Sequence, residues 1–274
     1  MIKLNSRDLI FYPLRKIKRL RNFFLSEINE YKYPEKNRYR DLINTYKKCQ
    51  LKNNRDETIR YLDKTLHSLG FNKYNELDGL YSEHLIIFAS IAKSNHKIEK
   101  ILEIGTHNGK TTTILSKLFP KATITTIDLK DNDPIFRKTY QRENNFKRFI
   151  KNRNDLISKH KNINFMQINS LSLSTANNKI PHQDLIWVDG AHGYPIVSAD
   201  ITNSIKLMNK KSILMCDDIW KKTKKNDDMY VSTAGYETIS SFNDAKILKT
   251  FFFRKRIGKK FNGNYKFISF SKLV

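Results

Sequence analysis

The sequence predicts an α/β protein: a mostly parallel sheet closed by an antiparallel C-terminal hairpin and preceded by a helical segment. Five short apolar runs, "KILEIG", "TITTIDL", "INFMQI", "DLIWVDG" and "SILMCDD", lack strict alternation, as strands buried on both faces do. Helical stretches lie between them and supply the crossovers that parallel neighbours need. The last two strand-like runs, "ILKTFFFRKRIG" and "YKFISFSKLV", are separated only by "KKFNGN", whose Asn262-Gly263-Asn264 signals a turn and so an antiparallel pair.

Taken in order, residues 1–75 read as a helical segment and 76–274 as the α/β domain. In "DLIFYPLRKIKRLRNFFL", residues 8–25, Ile10, Leu14, Ile17 and Phe24 fall near one helical face and Arg15, Lys16, Lys18, Arg19 and Arg21 on the others. Such a helix either packs on its own domain or lies on an anionic membrane. In "RDETIRYLDKTLHSLG", Ile59, Leu62, Leu66 and Leu69 recur at helical spacing, and Gly70 suits the C-cap. "YSEHLIIFASIAKS" continues as an apolar helix, after which strands and helices alternate.

Composition narrows the partners. With 274 residues, 39% of them apolar, the chain can bury a core. Its 51 Lys and Arg against 27 Asp and Glu give a formal charge of +24. That excess fits either a polyanionic partner or AT-rich codon usage, since Lys, Asn and Ile abound and the basic residues are scattered. A specific nucleic-acid partner is not expected. Cys49 and Cys216 are too few for a disulfide framework and fit a reducing cytosol. No run approaches the roughly 20 apolar residues of a membrane span, and the N-terminus lacks a compact signal core. The expected location is the cytoplasm, with the inner face of a membrane as the option residues 8–25 leave open; a homo-oligomer stays possible.

Function in such a sheet is sought at the carboxyl ends of the strands. The first loop, "EIGTHNGKTT", imitates a triphosphate loop, but Gly105 and Gly109 have three residues between them where that motif has four, and Ile104 stands where its first glycine should. Glu103 at the end of the first strand suits a cationic ligand better than a phosphate. Asp128, ending the second, is placed to accept ribose hydroxyls. Together they suggest a nucleoside bearing an ammonium group, which S-adenosylmethionine (SAM) is.

The motifs "EIGTHNGKTT", "TIDL", "WVDGAHGYPIVSAD" and "MCDDIW", in that order, resemble those of class I SAM-dependent methyltransferases, and among them the metal-dependent O-methyltransferases of the catechol and macrocin sugar type. The resemblance covers residues 76–274 and implies a Rossmann-like methyltransferase sheet. It implies that Glu103, Gly105, Thr106 and Gly109 surround the methionine part of the cofactor, that Asp128 binds the ribose, and that Asn169 and Ser170 lie beside the adenine. Ile168 departs from the glycine common there.

Asp189 ends the fourth strand and Asp217-Asp218 the fifth; neighbouring strands about 4.8 Å apart let the three carboxylates converge. With the resemblance, they are expected to hold Mg²⁺ or another divalent cation, completed by water and substrate hydroxyls. The competing role is capping of a helix starting near Ile219. His192, three residues after Asp189, is the expected catalytic base. His107 is expected to pack on the ligand or face solvent. The acceptor is expected to be a small polar molecule with a hydroxyl, such as a sugar, a glycan precursor or a vicinal diol. Its pocket would be built by the N-terminal segment and by loops such as 220–235. The alternative, an RNA or other nucleic-acid methyltransferase or an RNA-binding protein, rests on charge alone, and no [DN]-P-P-[YF] follows the fourth strand.

Overall fold

The computed structural model describes residues 35–51, 54–76, 81–94, 96–139, 145–174, 180–223, 231–258, 261 and 264–274. The basic segment 8–25 and the Asn262-Gly263 turn lie outside them.

Three helices come first: α1 (Glu35–Lys48), α2 (Arg55–Ser68) and α3 (Glu83–Lys93). The Asn54 side chain accepts from the Glu57 amide and starts α2, and Gly70, at φ 74°, ends its chain reversal as the C-cap reading required. Residues 83–91 of α3 are buried without exception, so this helix is core on every side.

The sheet has seven strands: β1 (Lys100–Ile104), β2 (Thr123–Asp128), β3 (Ile163–Gln167), β4 (Gln183–Val188), β5 (Met208–Trp220), β6 (Leu248–Arg254) and β7 (Lys266–Leu273), in the order β3-β2-β1-β4-β5-β7-β6. The first five run parallel, and β7 is antiparallel to both β5 and β6. The hairpin is therefore present, but its second strand inserts between β5 and the first. Helices α4 (Lys110–Leu118), α5 (Pro134–Lys138), α6 (Phe146–Ile157), α7 (Ile196–Lys206) and α8 (Ala234–Asp244) connect the strands. The strand order turns back between β1 and β4, which opens a crevice at their carboxyl ends.

Side-chain alternation divides the core. Ile101, Leu185, Trp187, Ile213 and Met215 face α1 to α4, whereas Leu102, Ile104, Ile186, Val188 and Leu214 face the side that holds Val197 and Ile201 of α7. Because Leu42, Tyr46, Leu62 and Leu66 share the first of these cores, the described helices before residue 76 pack as part of the sheet's own domain. Tyr46 and Arg55 both donate to the buried Glu83, at 2.7 and 2.8 Å, and fasten α1 and α2 to α3.

Strand β5 corrects one expectation. It does not stop at Asp217-Asp218 but runs on to Trp220, so no helix starts at Ile219 for either aspartate to cap. Its pairing with β7 slips between Cys216 and Ile219, and Asp218 there has φ 50°. This bulge undoes the alternation that would send neighbouring side chains to opposite faces, and it turns both carboxylates toward β7.

Candidate active site

A cavity of about 300 Å³ opens at the crevice, lined among others by Gly105, His107, Asp128, Asn169, Ser170 and Asp189. Gly105 makes the crevice possible: at φ 103°, it packs so close to β4 that a Cβ would lie 2.3 Å from the Asp189 carbonyl oxygen. Asp128 accepts from the His107 and Leu129 amides, at 2.8 Å each, which fixes its carboxylate at the cavity wall. His107 joins the wall, its ring 5.4 Å from that of Phe149.

Three residues expected around the cofactor stand behind the wall. Glu103 is fully buried on the α4 face of β1, where it accepts from Thr112 at 2.5 Å and Thr126 at 2.6 Å. Burial pushes its carboxyl up to about 7. Glu103 is thus a support of the loop and not a wall residue: strand parity points it away from the cavity. Thr106 is likewise buried, 2.6 Å from the Thr126 hydroxyl, and Gly109 serves as the N-cap of α4. Sequence reasoning missed Asp200, the last residue of "DGAHGYPIVSAD". From α7 it reaches the cavity wall, buried, with neither carboxylate oxygen in a well-formed hydrogen bond. Burial pushes it up to about 6, against a weak pull from the Ser170 hydroxyl.

At the lip, Asp189, His192, Asp217 and Asp218 come together as expected. His192 Nε2 lies 3.8 Å from Asp189 Oδ1 and 4.0 Å from Asp218 Oδ2. Burial lowers its pKa, so the imidazole is neutral near pH 7 and able to accept a proton. Burial, reinforced by the charge of Asp217, raises Asp189 well above the usual carboxylate range. Below them His84 stacks on Trp187, centroids 5.2 Å apart, and burial lowers it to about 4.

Two lysines change the character of the cluster. Lys255 Nζ donates to Asp217 and, at 2.6 Å, to Asp218 Oδ1; Lys266 Nζ donates to Asp218 Oδ2 at 2.5 Å. Burial disfavours ionisation of Asp218, yet the lysines hold its carboxyl far below the usual range. With both oxygens of Asp218 and one of Asp217 taken by ammonium groups, this donor set does not fit a divalent ion. Among the described residues, no three His, Cys, Asp or Glu side chains are grouped as metal ligands. The expected roles of Asp189, Asp217 and Asp218 as Mg²⁺ ligands are corrected to that extent. The lysines were invisible in the sequence because they lie on the far hairpin, brought over by the β5·β7 register of Trp220 with Lys266 and by the Lys255 amide, which donates to the Lys266 carbonyl.

A Rossmann-like sheet whose one antiparallel strand is inserted beside β5, with a cavity at the β1–β4 switch and acids at its strand ends, defines the class I SAM-dependent methyltransferase fold. Residues 102–219 match the family model described as a methyltransferase domain. Solved structures agree on the fold. A candidate O-methyltransferase from Klebsiella pneumoniae aligns with TM-score 0.51 at 13% identity, over 79% of this chain and 89% of its own. A candidate caffeoyl-CoA O-methyltransferase from Staphylococcus aureus aligns with TM-score 0.50 at 14% identity, over 86% and 98%. No curated protein matches the sequence.

Proposed function

We propose that the protein transfers the methyl group of SAM to a hydroxyl oxygen of a small polar acceptor, such as a sugar, a glycan precursor or another vicinal diol. The observation that carries this reading is the position of Asp189: its residue lines the cofactor cavity and its carboxylate faces His192, so a base stands at the mouth of the methyl-donor site. When bound, SAM supplies an electrophilic methyl: the O–CH₃ bond forms, the S–CH₃ bond breaks, and S-adenosylhomocysteine leaves. Asp128 would hold the ribose, Asn169 and Ser170 the adenine side, and the neutral His192 would take the proton that the acceptor hydroxyl loses. Asp189 would orient the imidazole. The reading in which the acceptor is RNA draws on the charge of +24 and on no feature of the cavity.

The test is to incubate the full chain with SAM and a panel of nucleotide sugars, glycolipids and catechols and to seek methylated products by mass spectrometry. A methyl ether is expected. Transfer to RNA alone would overturn the reading, as would calorimetry showing tight ATP binding and no heat from SAM. His192→Ala is expected to lose about 10²- to 10⁴-fold in rate. The remainder should rise with pH as the acceptor ionises unaided; an unchanged pH profile would remove the imidazole from the reaction.

A further inference from the structure

We infer that Lys255 is the resident cation of the acceptor site, an ammonium built into the chain where a divalent ion would otherwise stand. The inference rests on the methyltransferase reading of the crevice, and three observations carry it. First, the ammonium occupies the focus of the aspartates, bonded to Asp217 and Asp218, and its side chain is only 16% exposed. Second, it is held there from both sides. The Lys255 amide donates to the Lys266 carbonyl at 2.9 Å, and its own carbonyl accepts from the Glu83 amide at 3.0 Å, at the start of α3. Lys266 is pinned in turn, its Nζ 5.2 Å from the centroid of Trp220 and 4.9 Å from that of Phe261. Third, the charges already balance. The ammonium groups of Lys255 and Lys266 offset the two carboxylates they bond, those of Asp217 and Asp218, and a divalent ion would add positive charge to a cluster that is already neutral.

An ammonium has three N–H groups. Lys255 gives two to Asp217 and Asp218, and the third meets no acceptor among the described residues. It is the donor available to an acceptor oxygen at the lip, beside His192, where it would hold that oxygen and stabilise the negative charge it gains as its proton leaves. The geometry thus favours an acceptor that presents one hydroxyl to Lys255 and His192 together, and it makes transfer independent of added metal.

Mn²⁺ titration of the full chain, read by electron paramagnetic resonance, tests the assignment without any acceptor. The wild type is expected to bind no stoichiometric Mn²⁺ at millimolar concentration. Lys255→Ala combined with Lys266→Ala should uncover the aspartates and gain a site, while SAM affinity stays within about twofold. Where an acceptor has been found, transfer should be unchanged in excess chelator. Lys255→Met should lose about 10²- to 10³-fold in rate, as when one donor to a developing anion is removed, and Lys255→Arg should restore part of it. Stoichiometric Mn²⁺ binding by the wild type, or activity abolished by chelator and restored by Mg²⁺, would overturn the inference even if the double variant does not fold. Failure to bind SAM would instead reject the methyltransferase reading and leave the Mn²⁺ result standing on its own.

Discussion

The two sides of the crevice are made of different materials. On the β1–β3 side the wall is backbone and loop: Gly105 against β4, and Asp128 fixed by the two amides of the loops it touches. On the β5–β7 side it is side-chain charge, with Asp217 and Asp218 opposed by Lys255 and Lys266. The first side suits a constant ligand whose shape is met by fixed amides and carbonyls. The second suits a reaction whose charge changes, and its specificity can be altered by exchanging a few side chains. In the proposed reaction the methyl donor would be the constant partner and the acceptor the variable one.

The change expected to break both sides at once is Gly105→Ala. The new methyl would enter at φ 103° and lie 2.3 Å from a main-chain oxygen, which no side-chain motion relieves. A loss of about 3 kcal/mol or more in stability is expected from that clash and the strained backbone, measurable by chemical denaturation. SAM affinity should fall with it, because Asp189 moves when β4 does. A variant with normal stability and SAM affinity would show that the two walls are not in contact through this residue.

Asp128→Ala should separate the sides. It removes the charged acceptor from the cofactor wall and is expected to weaken SAM binding by about 1.5–3 kcal/mol, read by calorimetry. The charge cluster is built on other strands, so the Mn²⁺ behaviour of Lys255→Ala with Lys266→Ala should be the same in its presence. If Asp128→Ala also created or destroyed a Mn²⁺ site, the sides would be coupled through more than Gly105.

The same contrast explains what could be read from the sequence. The parallel strands were legible because burial on both faces leaves an unbroken apolar run, and the strand-end acids Asp128, Asp189, Asp217 and Asp218 were legible because this fold sends strand ends to its ligand. Which way a side chain points was harder. Glu103 has the right place in the chain, but β1 parity puts it behind the loop. The bulge at Asp218 has no signature in "MCDDIW", since a positive φ there belongs to an aspartate and not to a glycine. Lys255 and Lys266 were two among 51 basic residues, and only the insertion of β7 beside β5 selects them. The "DGAH…D" pattern did contain the signal for Asp200, as the acid one helical turn beyond the start of α7.

The smallest effect is the one that isolates Glu103 from both walls. Its carboxyl is raised to about 7 in the folded chain from an ordinary value of 4.5, because burial outweighs the two threonine hydroxyls that favour its charge. An acid raised in this way is protonated in the folded chain and ionised in the unfolded one throughout that interval. Folding is therefore helped fully only below 4.5, and the help is lost as pH rises through 7. Between pH 6 and pH 8 the wild type should lose about 1.4 kcal/mol from this group alone, one unit's worth of linkage. Asp200, raised to about 6, also titrates in this range, so the quantity to measure is the difference from Glu103→Gln, which keeps an oxygen for Thr112 and Thr126 but has nothing to ionise. Thermal unfolding of the two proteins without ligand should show the wild type falling relative to the variant from pH 6 to pH 8. Parallel curves would mean that Glu103 is already charged at pH 6. It would then be free to meet a cation through the loop, and the cofactor wall would gain the acid that its geometry now assigns to the loop's support.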